Sequence, residues 1–174
     1  MKTQQYLYLF LYLFLIFIAI IAHSCGEEGE EKRMQASLSS NEICKNNLKS
    51  ADETPDSISC VEYQYNETTK TLTLVHINAG FNCCPGKLSC EVSFQNDTLR
   101  VEEFEKEASC HCCCLYDLNI AIKNIEKKSY HIQCIEPYAK GLAPLCFDIN
   151  LNHNYTGNYS VIRKQYPWGI NSMY

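Results

Sequence analysis

From residue 58 onward, apolar and polar residues alternate with period two, the signature of strands with one face buried. Val61, Tyr63 and Tyr65 share one face of 58–65, and a turn at Asn66-Glu67-Thr68-Thr69-Lys70 follows. Residues 71–79 are apolar on both faces, which predicts a central strand and makes His76 a core histidine rather than a ligand. Leu88, Cys90, Val92 and Phe94 alternate with Lys87, Ser89, Glu91 and Ser93. Residues 99–104 alternate more weakly, and Glu102, Glu103 and Glu105 suggest an edge. Further alternation covers 118–122, 130–134 and 145–151, with a short last strand around 159–163. No segment has an amphipathic helical period, so parallel crossover units are excluded and an all-β sandwich is expected.

One local pattern narrows the class. Ile122, Ile125, Tyr130 and Ile132 are spaced like the E–F corner of immunoglobulin-like and fibronectin-III-like domains. There a hydrophobe plugs the base of the sandwich, and a Tyr opening the next strand returns its hydroxyl to the backbone. The resemblance implies an immunoglobulin-like or fibronectin-III-like β-sandwich of about 7–8 strands.

The first 24 residues read differently. A polar start with Lys2 precedes YLYLFLYLFLIFIAIIA, a continuous apolar run over 6–22, and then Ala22, His23, Ser24 and Cys25. This is a signal segment. Small residues at 22 and 24 suit signal peptidase I. Ser24-Cys25 also resembles a bacterial lipobox, with Ala22 and His23 as departures from its usual residues. The acidic Gly-Glu-Glu-Gly-Glu-Glu after Cys25 resembles the surface-export signal of Bacteroidota lipoproteins. These resemblances imply lipidation at Cys25 and a membrane-anchored, extracytoplasmic domain at the outer membrane or cell surface; secretion is the alternative. Residues 25–57, acidic and poor in aliphatic periodicity, are expected to be a largely disordered tether, with a pin near Cys44. The sandwich is expected over 58–165 and a tail over 166–174, where Tyr166-Pro167-Trp168 reads as a hydrophobic cap.

Charge and composition exclude some functions. Of 15 Lys/Arg and 20 Asp/Glu, residues 1–24 hold only Lys2, so the remainder carries 14 cations against 20 acids. Such a chain lacks the basic footprint that phosphate backbones require, and nucleic acid is excluded as a partner. Nucleophile-elbow, zinc-protease and phosphate-loop motifs are absent, so a non-catalytic module with a protein or glycan ligand is expected. Asp148, Asn150, Asn152 and Asn154 imitate the start of a calcium loop. His153 and Tyr159, however, stand where that loop needs Gly and Glu. Asn66, Asn96, Asn154 and Asn158 begin N-x-S/T sequons, glycan acceptors in a eukaryotic secreted chain and coincidence in a bacterial one. The lipobox favours coincidence.

The 12 cysteines are the distinctive chemistry. A disulfide framework at this density points outside the cytosol. Cys83-Cys84 and Cys110-His111-Cys112-Cys113-Cys114 lie at predicted strand ends, and sequence neighbours rarely bond each other. The two clusters are therefore expected to meet at one end of the sandwich. Phe81-Asn82-Cys83-Cys84, a strand pair, Cys110-x-Cys112-x-Cys114 and Tyr116-Asp117-Leu118 together resemble a group of Bacteroidota lipoproteins with N-C-C and C-x-C-x-C motifs. That resemblance spans 58–135 at most, departs from the group at Cys113, and implies architecture rather than activity.

Three chemistries fit Cys83, Cys84, Cys110, Cys112, Cys113 and Cys114. Disulfide cross-linking comes first, with no cofactor. A thiolate site for zinc, copper or an iron–sulfur cluster comes second, with His111 or His76 as a nitrogen ligand. Thiol–disulfide redox chemistry through Cys110-x-x-Cys113 is third. Cys90 and Cys134, on apolar strand faces, are candidates for an inter-sheet bridge or are two ordinary buried thiols. Eleven cysteines remain once Cys25 is set aside, so at least one is unpaired.

Overall fold

The computed structural model describes residues 33–40, 43–45 and 54–168. The segment expected to be a signal, Cys25 and residues 169–174 lie outside them. Nine strands form two sheets: β1 Gln35–Ser40, β2 Ile58–Asn66, β3 Thr71–Asn82, β4 Leu88–Gln95, β5 Thr98–Glu105, β6 Cys113–Lys123, β7 Ser129–Ile135, β8 Leu145–Asn150 and β9 Thr156–Ile162. One sheet runs β1-β6-β3-β2-β9 and the other β4-β5-β7-β8. The expected all-β sandwich is present, and eight of its strands fall where alternation places them. Leu72, Leu74, Leu118, Ile120 and Ile122 from the first sheet pack against Leu99, Val101, Ile132 and Leu145 from the second, all essentially inaccessible to solvent.

Local chemistry sets the turns. Asn96 and Asp97 both have positive φ, which a two-residue hairpin with right-handed twist requires, and they join β4 to β5. The corner between β6 and β7 is built as its spacing implies. Ile125 is fully buried, the Tyr130 hydroxyl donates to the Glu126 carbonyl at 2.9 Å, and the Tyr65 hydroxyl donates to the Ile125 carbonyl at 3.0 Å. β5 and β7 pair in parallel while every other pair is antiparallel. Period-two alternation does not encode that direction.

Two differences from expectation bear on function. β1 lies inside the segment expected to be a tether: Gln35–Ser40 pairs residue by residue with Lys123–Leu118. Met34, Ala36 and Leu38 do alternate, but an edge strand with one neighbour needs only this weak signal. β6 begins at Cys113, five residues earlier than expected, because the ladder with β3 continues past a bulge between His76 and Ala79 to pair Asn82 with Cys113. Asn78 sits in that bulge at φ 61°. Its side chain donates to the Pro55 and Ile58 carbonyls, and its carbonyl accepts from Trp168 Nε1 at 2.7 Å. Trp168 is fully buried, so Tyr166-Pro167-Trp168 does cap the sandwich.

Candidate functional site: a disulfide pole and a buried charge cluster

The continued β3–β6 ladder brings the two cysteine clusters together. Cys83 bonds Cys112 and Cys84 bonds Cys110, with Cα atoms 5.5 and 5.4 Å apart. Cys114 bonds Cys44 with Cα atoms 5.6 Å apart, the pin expected of the N-terminal segment. Lys45 strengthens it, with its ammonium 2.6 Å from Asp117 and its amide donating to the Leu115 carbonyl. Asn82 organises the loops. Its Oδ1 accepts from the Cys84 and Cys110 amides, its Nδ2 donates to the Cys110 carbonyl at 2.7 Å, and its own amide donates to Glu105 Oε2 at 2.8 Å.

Cys113 remains a thiol. Its amide donates to the Tyr166 hydroxyl, which in turn donates to the Cys113 carbonyl at 2.9 Å. Burial, then the Glu105 carboxylate, push this thiol's pKa up against a smaller opposing effect of Tyr166. An attacking thiol needs the reverse shift, and Cys110, its thioredoxin-spaced neighbour, is bonded to Cys84 instead. Five of the six clustered sulfurs are in disulfides, which removes the thiolates a soft-metal site would use. Among the described residues no group of three or more His, Cys, Asp or Glu could hold a metal ion. His111 is exposed, while His76 lies in the core away from the clusters.

The bridge considered between Cys90 and Cys134 does not form. Both are thiols, and both belong to the same sheet, on β4 and β7, with β5 between them. Burial drives the Cys90 pKa to about 11 and that of Cys134 well above its ordinary value, as expected of inert packed thiols.

A second constellation escaped the sequence reading. Ser59 Oγ lies 2.9 Å from His76 Nε2, and His76 Nδ1 lies 2.7 Å from Glu103 Oε1. Glu136 Oε1 is 3.6 Å from the same imidazole, and Glu136 Oε2 is paired with the Arg163 guanidinium. Arg163 also donates to the Ala143 carbonyl and stacks over Trp168, 5.1 Å from the ring centroid. Burial alone would lower the imidazole pKa. The Glu103 charge and hydrogen bond, aided by Glu136, outweigh it and leave His76 above its ordinary value. Glu136 is raised by burial, only partly offset by His76 and Arg163.

Ser–His–carboxylate is the order of a hydrolytic relay, yet these side chains cannot meet a substrate. Ser59 is 0% exposed, His76 1% and Glu103 2%. The group is an inter-sheet strut: Ser59 and His76 come from one sheet, Glu103 from the other. Each buried carboxylate faces a basic partner, Glu103 the His76 imidazole and Glu136 the Arg163 guanidinium, which limits the cost of burying charge. Glu103 continues the core-facing series Leu99, Val101. That phase was the available signal, overridden by the three glutamates that suggest an edge.

The outer face of the five-stranded sheet is largely polar. Cross-strand rows run Thr156, Gln64, Thr73, Ala121, Ser37 and Asn158, Glu62, Val75, Asn119, Ser39. Two shallow grooves adjoin at Gln64 and Thr73, one extending to Thr71 and Lys123 and the other to Glu62 and Asn158. All four sequon asparagines, Asn66, Asn96, Asn154 and Asn158, are exposed.

These features define a disulfide-bonded β-sandwich of an oxidising, extracytoplasmic environment. Compared with known proteins, the chain matches no family model, no curated protein and no solved structure.

Proposed function

We propose that this chain is a membrane-anchored extracytoplasmic lipoprotein whose sandwich is a non-catalytic binding module. The carrying observation is the set of three disulfides gathered at one pole, a lock that suits an exposed domain in an oxidising compartment. The lipobox-like Ser24-Cys25 supplies the anchor. The relay-like constellation found among the described residues is sealed, which supports binding over catalysis. The adjoining grooves that share Gln64 and Thr73 are the candidate ligand surface. Their amide and hydroxyl side chains, repeating at strand spacing of ~4.8 Å, suit the hydroxyl groups of a glycan.

Two measurements test this reading. Intact mass of the native mature chain should report a diacyl or triacyl adduct on Cys25, and Cys25→Ser should leave the chain in the soluble fraction. A mature chain without lipid overturns the anchor. Glycan-array binding that is lost in Gln64→Ala/Thr73→Ala would support this surface; binding unchanged by that pair would overturn it.

A further inference from the structure

We propose that β9 is a self-association edge, which pairs antiparallel with β9 of a second copy of this chain and joins their two five-stranded sheets into one. This pairing depends neither on the lipid anchor nor on the grooves at Gln64 and Thr73. β9 ends the order β1-β6-β3-β2-β9 and, among the described residues, has β2 as its one sheet neighbour. The Tyr65 amide donates to the Tyr155 carbonyl at one end of β9, and the Arg163 amide donates to the Ser57 carbonyl at the other. An antiparallel ladder alternates bonded and non-bonded pairs, so Gly157, Tyr159 and Val161 turn their backbone groups toward β2. Thr156, Asn158, Ser160 and Ile162 therefore aim their amides and carbonyls away from it, and all four residues are exposed.

Open strand edges are ordinarily blocked by charge or covered. β4 carries Glu91 and β8 carries Asp148. β1, which is uncharged, lies along β4, whereas β9 meets β8 chiefly through the Phe147–Tyr159 ring stack on the inner face. β9, Thr-Gly-Asn-Tyr-Ser-Val-Ile, has neither a charged residue nor a proline. Ile162 at its end is 68% exposed, the most exposed large apolar side chain among the described residues.

The edge is complementary to itself, which makes a second copy its occupant. In the two-fold register centred on Tyr159, Asn158 of each copy faces Ser160 of the other, and Thr156 faces Ile162. All four outward residues then exchange backbone hydrogen bonds. An amide meets a hydroxyl, the Thr156 methyl covers Ile162, and no charges oppose one another. Moving the centre by one residue sets Ile162 against Asn154 or Asn158 instead, so burial of the exposed apolar side chain selects this register. A two-fold pairing also closes, because each β9 has a single open side.

Sedimentation velocity of the full chain in density-matched detergent reads the association. Asn158→Lys/Ser160→Lys sets like charges across both central pairs and should weaken dimerisation about tenfold. Asn158→Lys/Ser160→Glu sets each ammonium opposite a carboxylate in the same register and should restore dimerisation to within about threefold of wild type. Both positions are exposed, so thermal melting by circular dichroism should match wild type in both variants. A wild-type chain still monomeric at about 100 µM, or a Lys/Lys variant that dimerises as well as wild type, overturns the proposal. So does a Lys/Glu variant as weak as the Lys/Lys one. Ile162→p-benzoylphenylalanine, irradiated on intact cells, should cross-link to Tyr155 or Thr156 of another copy. Cross-linking to a different protein instead makes that protein the occupant and overturns the second copy.

Discussion

Arg163→Met tests the buried charge cluster most directly. Methionine keeps an apolar stem of similar length against Trp168 but removes the guanidinium facing Glu136. Both partners are shielded, with side-chain exposures of 0% and 2%. The loss therefore leaves Glu136 buried away from water with only His76, 3.6 Å away and already bonded to Glu103, as a basic neighbour. Breaking one side of such a pair costs about 3–5 kcal/mol. For a domain of this size, at ~3–5 °C per kcal/mol, the melting temperature should fall by roughly 10–20 °C. Urea unfolding with disulfides intact, followed by Trp168 fluorescence and circular dichroism, reads the change. The double variant Glu136→Leu/Arg163→Met should recover most of the loss, because His76 and Glu103 remain as a balanced pair. A single-variant cost below about 1 kcal/mol, or a double variant as unstable as the two single losses added together, would refute the strut.

Other outcomes follow from the same geometry. The folded-state pKa of His76 is raised, so its contribution is complete below about 6.5 and is lost as pH rises through the folded value. Glu136, raised from 4.5, acts in the same sense from that value upward. Urea midpoints should therefore decline on the alkaline side in the wild type and flatten in His76→Gln. Replacing Cys44 and Cys114 by Ser opens a loop of 70 residues and should cost about 4.4 kcal/mol by chain entropy. Amide exchange of β1 should accelerate in the same variant. Gly80→Ala places a Cβ 2.7 Å from Trp168 Cζ2, a ring held by its bond to Asn78, and should destabilise by ~1–3 kcal/mol with a shifted tryptophan emission. Alkylation of the native protein should reach Cys113 and Cys146 before Cys60 and Cys134, and six cysteines should react only after reduction.

Much of the fold could be read from period two alone, because eight strands bury one face each and alternation records that. β1 was hidden since Met34, Ala36 and Leu38 are only three apolar positions in an acidic stretch, and their value depends on β6 being present. Disulfide partners were unreadable for a related reason. Meeting of the clusters follows from their being at strand ends, but Cys83 with Cys112 and Cys84 with Cys110 depend on the Asn82–Cys113 register beyond a bulge. The charge cluster was missed because a lone Glu in a strand signals solvent. Only a partner distant in sequence, such as His76 for Glu103, makes its burial tolerable.

The two bridges from Cys83 and Cys84 enclose residues 85–109, which hold the whole β4–β5 hairpin. Strand exchange between copies requires an element to leave its own domain while its chain stays continuous. The Cys84–Cys110 bond ties both ends of the hairpin to one point of the domain, although β4 is the terminal strand of its sheet. Among the described residues no bridge reaches past Cys114, so β7 to β9 are held by packing and hydrogen bonds alone. The covalent pole would therefore be identical in the monomer and in a dimer that trades its C-terminal strands.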